Sequence, residues 1–211
     1  MNDGNSIVEF FYNIVPGSLF IILLRHLFYI DLLSLLPKRG NNDDTVIIIF
    51  AYIIMGLFLG FIFQGIIKFI RELGFNKWIA KKVIADNKKE FAESNDVLGK
   101  KYKTFLSTVF ERNFYLMDNY LRGKHAAFLP THNSSRFAFW SNIFLANLFL
   151  IGLMFMRYPC LNFYHLFFII VLLASAWWMY KYFYAFYDTI LKSYFMEQES
   201  KRTGWHEAKL V

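Results

Sequence analysis

The run RGKHAAFLPTHNSSRFAFW, residues 122–140, places Arg122, His125, His132 and Arg136 close together in the chain. Side chains of these types can converge on an anion: guanidinium forks onto phosphate or carboxylate, and imidazole carries a proton near neutral pH. Metal binding needs His, Cys, Asp or Glu at helical or hairpin spacing. His125 and His132 stand seven residues apart with Pro130 between them, and no acid lies within 122–140. Nucleophilic catalysis at Ser134 or Ser135 needs a base held by a third group. His132 is near, but no acid orients it. Arg122 and His125 also stand too close for the Arg–His pairing of HEPN-class RNases. No glycine-rich phosphate loop is present. The sequence therefore assigns no catalytic residue, no metal and no cofactor. The four residues remain candidates for binding an anion or a partner, and the stretch reads as a hinge. A helix ends near Phe128, Pro130 turns the chain, and Asn133 or Ser134 caps the next helix. Arg136 then lies at headgroup depth, and Phe137, Phe139 and Trp140 enter the membrane interface.

The elements around this hinge are apolar. Hydrophobic residues make up 56% of the 211 residues and charged residues only 18%, too few to cover a soluble surface. The apolar residues come in four blocks, 7–24, 45–69, 137–156 and 163–186. A hydrocarbon core about 30 Å thick needs roughly 20 helical residues, so each block is long enough. Their solid apolar runs lack the alternation of a membrane barrel. The expected fold is an all-α integral membrane protein with four transmembrane helices. Residues 1–70 form a first transmembrane hairpin and 71–136 a basic helical cytoplasmic segment. Residues 137–195 form a second hairpin whose last helix extends into the cytoplasm, and 196–211 form a polar tail. Residues 1–6 hold no Lys or Arg, so no cleavable leader is expected. Pro16-Gly17 predicts a kink or restart in the first span. An alternative span, 17–36, would carry Arg25 and Asp31 to depth. Cys160 is the lone cysteine, so no intrachain disulfide forms.

Charge sets the orientation. Residues 71–136 hold 13 Lys and Arg against 7 Asp and Glu, a net +6 of the chain's +7. The turn 157–162 has only Arg157, and the tail after 186 has Lys192, Lys201, Arg202 and Lys209. The positive-inside rule puts the large segment and both termini in the cytoplasm. The first span's own flanks favour the opposite sense, since its basic neighbours Arg25, Lys38 and Arg39 all follow it.

Within the spans, Gly56-x-x-x-Gly60, with Gly65 further on, supplies small residues suited to helix pairing or oligomerisation. Gln64, Asn142 and Asn147, with Ser141 and Ser175, are either interhelical glue or the lining of a conduit. No charge lies at the centre of the last three spans, unlike a typical proton-coupled transporter. In the cytoplasmic segment, 76–95 reads as a basic helix and 96–128 as a longer one. Leu98, Tyr102, Phe105, Leu106, Val109, Leu116, Met117, Tyr120 and Leu121 share its apolar face. Asp188 and Lys192 form a helical ion pair, and the continuing last helix packs on this segment. The surplus of basic charge marks the inside face, holds anionic headgroups, or binds nucleic acid or an acidic protein.

The layout resembles small four-span membrane proteins of prokaryotic antiphage systems, such as the membrane subunit of the Kiwa system and the accessory membrane protein of type VI-B CRISPR loci. Four features carry the resemblance: the early IVPGSLF, the long second span with GLFLGFIFQGI, the central basic segment, and a last span that runs on as a helix. It implies a non-enzymatic component of a bacterial inner membrane that homo-oligomerises and works with a cytoplasmic protein partner, meeting nucleic acid only indirectly. Two other functions fit the sequence: a channel or small-solute transporter, and a membrane-bound hydrolase or nuclease using His125 or His132.

Overall fold

A computed structural model of the chain describes residues 3–29, 44–94, 96–124 and 128–202. These residues are helical, with no strand among them. The order is α1 (Asp3–Phe28), α2 (Asp44–Ile70), α3 (Asn76–Glu90), α4 (Val97–Thr108), α5 (Asn113–Gly123), α6 (Phe128–Arg157) and α7 (Phe163–Arg202). Among the described residues, three helices are long and apolar enough to cross a membrane: Ile48–Glu90, Pro130–Arg157 and Phe163–Lys201. The apolar part of α1, Ile14–Phe28, is shorter. Residues 30–36 of the alternative span 17–36, and 30–37 of the predicted surface stretch 27–37, lie outside the described residues, while 17–28 belong to α1. The chain divides into two compact units, Met1–Phe69 with Ser135–Tyr180, and Ile70–Ser134 with Lys181–Val211.

In the first unit, α1 runs through Pro16-Gly17 as one helix instead of restarting there. Gly17 and Gly56 are the reason α1 and α2 approach so closely. A Cβ on Gly56 would lie 2.7 Å from the Ser18 nitrogen, and one on Gly17 would lie 2.7 Å from the Gly56 carbonyl carbon. Either would force the backbones apart. Phe20, Phe63 and Phe149 join α1, α2 and α6 through ring contacts at 5.6 and 6.0 Å. The Arg25 Nη1 donates to the Tyr52 hydroxyl at 3.1 Å. At the far end of α1, Arg157 Nη1 donates to the Phe28 carbonyl at 2.6 Å, covering an acceptor the helix leaves open. Asn162 caps α7, its Oδ1 accepting from His165 N–H at 3.1 Å.

The outer surface of this unit is apolar. Phe50, Ile54, Phe58 and Phe61 of α2 are more than half exposed, as are Ile170 and Leu173 of α7. In water such faces would drive aggregation, whereas lipid solvates them. Three of the buried polar side chains bond locally: Ser141 to Ala138 O, Asn147 to Ile143 O and Ser175 to Leu172 O.

The second unit packs α3, α4, α5 and the part of α7 beyond residue 181. Its core includes Ile79, Val83, Leu106, Leu121, Ile190 and Leu191, all almost fully buried. Gly74, with φ of 132°, breaks the π-helical turn Arg71–Phe75 ahead of α3. Side chains with a Cβ avoid that conformation.

Two expectations about local structure fail. The predicted single helix 96–128 is two helices, α4 and α5. Ser107 and Thr108 bond back to the carbonyls of Thr104 and Phe105, and Val109 is extended with ψ of 132°. These side-chain bonds compete with the helical ladder and end it. The break shifts the register, so Phe114 becomes buried while Leu116 lies exposed; Leu98, in the first turn of α4, is exposed as well. Nor does Pro130 separate two helices. It sits in the first turn of α6, where a missing N–H costs nothing because that donor has no helical acceptor.

Candidate functional site

The second unit is held by one buried amide. Asn87 of α3 is 1% exposed and bonds in three directions. Its Nδ2 donates to Asp188 Oδ1 of α7 at 2.8 Å and to its own Val83 carbonyl at 3.0 Å, while its Oδ1 accepts from the Tyr102 hydroxyl of α4 at 3.1 Å. Burial, then the Asp188 carboxylate, pushes the Tyr102 phenol above its ordinary pKa and keeps it a donor. Asp188 also pairs with Lys192 at 3.0 Å, the predicted spacing. Tyr184 donates to Asp86 at 3.1 Å in the same region. Asp96 starts α4 as its N-cap, accepting from Gly99 N–H at 3.2 Å. The Ser94 hydroxyl, and then that N–H, hold its carboxyl below the ordinary range.

On the outside of this frame lies a groove of about 730 Å³ between α4, α5 and the end of α7. Phe105, Leu116, Met117, Tyr194 and Phe195 give it an apolar lining, joined by Lys101, Tyr120 and Glu199. Lys101 meets Glu199 at 2.6 Å, and Lys201 donates to the Tyr120 hydroxyl. The rings of Tyr120 and Tyr194 meet edge-on at 5.3 Å. The groove presents two tyrosines, two phenylalanines and a methionine, side chains suited to a protein contact.

The predicted site residues fall in several places. Arg122 ends α5, and its Nε donates to Asp118 Oδ2 at 2.9 Å. His125 lies outside the described residues. His132 is half-buried in the first turns of α6 and belongs to the second unit, whereas Arg136 is exposed and belongs to the first. In the first unit, Gly56 meets Ser18 of α1, Gly60 is buried, and Gly65 is exposed with open space around its Cα. Asn142 is fully buried and reaches the Tyr12 carbonyl of α1 at 3.4 Å. Gln64 is half-buried on α2. Sequence reasoning missed Asn87 and the groove. Asn87 had a signal: it is a polar residue four positions after Val83 on the apolar stripe of α3. The groove had none, because it joins residues near position 110 to residues near 195.

No family model matches this chain, no curated protein matches it, and no solved structure matches it.

Proposed function

We propose that this protein is a membrane-embedded sensor or effector component of a bacterial antiphage defence system, docking a cytoplasmic protein partner through the groove of its second unit. In this reading α1 joins the three longer apolar helices as a fourth span, with both termini and the second unit in the cytoplasm of a cell with an inner membrane. Copies assemble through the spans. The groove is the observation that carries the reading: its lining is largely apolar and includes tyrosine and charged side chains. Residues 71–136 contribute its walls and most of the chain's positive charge, which favours an acidic partner surface. The layout shared with the Kiwa and type VI-B accessory membrane proteins supports the defence context.

The test is phage challenge of cells carrying the gene with its genomic neighbours. Leu116→Asp, which puts a charge on the groove lining, should abolish protection while leaving the protein in the membrane. Protection unchanged by Leu116→Asp and by Tyr194→Asp would remove the groove from the mechanism. Mass measurement in mild detergent should give a multiple of 25.1 kDa, and a strict monomer contradicts the assembly.

A further inference from the structure

A second, smaller cavity of about 270 Å³ lies within the second unit, between the start of α3, α5 and α7. Its lining is electrically mixed. Arg71, Lys77 and Arg112 supply cations, and Glu111 and Asp118 supply carboxylates. Arg71 is anchored: its guanidinium stacks 4.8 Å over the Phe183 ring, and its Nε donates to Asn76 Oδ1 at 3.2 Å. Asp118 is anchored as well, since Arg122 holds its Oδ2. Its other oxygen, Oδ1, is buried and has no hydrogen-bond partner among the described residues. A buried carboxylate oxygen without a donor is costly unless something supplies one.

The position of Arg71 indicates the source of that donor. It is the first residue after α2, three past Lys68, and the run 45–67 before them holds no charge. A residue immediately beyond an apolar span stands at headgroup depth. A ligand of matching chemistry carries a phosphate for the guanidinium side and a primary ammonium for Asp118. We propose that this cavity binds a phosphoethanolamine group, phosphate toward Arg71 and Arg112 and ammonium toward Asp118 Oδ1. A membrane phospholipid and a soluble phosphoethanolamine share that chemistry. The site is independent of the groove and of the defence reading.

The experiment uses the full chain in nanodiscs and native mass spectrometry of retained lipid. Three lipids separate the contributions: phosphatidylethanolamine, phosphatidylglycerol, which lacks the amine, and phosphatidylcholine, whose quaternary ammonium has no N–H to donate. The wild type should retain phosphatidylethanolamine preferentially. Asp118→Asn should lower that preference about tenfold, the loss expected for one charge-assisted hydrogen bond. Arg112→Gln, at an exposed position, should weaken retention of the ethanolamine and glycerol lipids alike. Arg71→Gln should do the same, and if it fails to fold, the other two variants carry the test. Competition by soluble phosphoethanolamine at matched concentration identifies a soluble ligand, and its failure to compete identifies the lipid. Equal retention of all three lipids by the wild type, or a preference unchanged in Asp118→Asn, overturns the proposal.

Discussion

Replacing Asn87 by leucine tests the frame of the second unit directly. Leucine keeps the branching and the heavy-atom count of asparagine on the apolar stripe of α3, although its methyls are bulkier than the amide. The polar loss is specific. The Tyr102 hydroxyl, on a residue only 3% exposed, loses its acceptor. A buried hydroxyl left without a partner costs about 1–3 kcal/mol. Asp188 loses a donor at 2.8 Å but keeps Lys192 and is half-buried, so its share lies at the low end of the same range. The two losses share one residue and are not additive. The net effect expected is about 2–3 kcal/mol of local stability, which corresponds to roughly 30–150-fold faster amide exchange in α3 and α4. Hydrogen exchange of the full chain in detergent measures this, with α1 and α6 as internal standards that should not move. Tyr102→Phe alone should cost less, and the double variant less than the sum of the two singles. Exchange in α3 and α4 accelerated less than about threefold would refute the claim that Asn87 ties the three helices together.

Three further predictions concern helix pairing and pH. Gly56→Val should lower the thermal stability of the detergent-solubilised protein by about 1–3 kcal/mol through overpacking against Ser18, while Gly65→Val, with open space around it, should leave it unchanged. Asp96 has a depressed pKa in the fold, so the stability it gives α4 is present above its ordinary value of 3.8 and fades as pH falls below it. Exchange in the first turn of α4 should rise on acidification, and Asp96→Asn should flatten that dependence. Tyr102 has a raised pKa, so its contribution is complete below its ordinary value of 10.0 and is lost as pH climbs above it. Alkaline loosening of α4 should be shallower in Tyr102→Phe.

The legible parts of the chain were those written in local periodicity. The apolar runs of α2, α6 and α7 had nothing to compete with helix, because an unpaired backbone is intolerable in hydrocarbon. The basic helix expected over 76–95, which runs over 76–90, and the Asp188–Lys192 pair also follow from spacing of three and four. Where the reading failed, a local polar choice overrode a long pattern. Ser107 and Thr108 turned one predicted helix into two by bonding back to their own carbonyls. Pro130 was read as a stop although its position also suits a first turn, and nothing in the neighbouring residues separates the two. The pairing of Gly17 with Gly56 was half visible: the second glycine was expected to face a helix, but its partner lies 39 positions earlier in the chain. The groove and the mixed-charge cavity were not legible, since each is assembled from helices brought together only by the fold.

The central claim is that lipid solvates the first unit while the lysine-rich second unit stays in the cytoplasm. Cys160, the chain's single cysteine, is exposed in the turn between α6 and α7 and reports on it without engineering. A membrane-impermeant maleimide applied to intact spheroplasts should label Cys160. A cysteine moved to position 88 in a Cys160→Ser background should react only after the membrane is opened. Labelling of position 88 from outside, protection of Cys160 there, or recovery of the protein in the supernatant once membranes are pelleted would contradict the account.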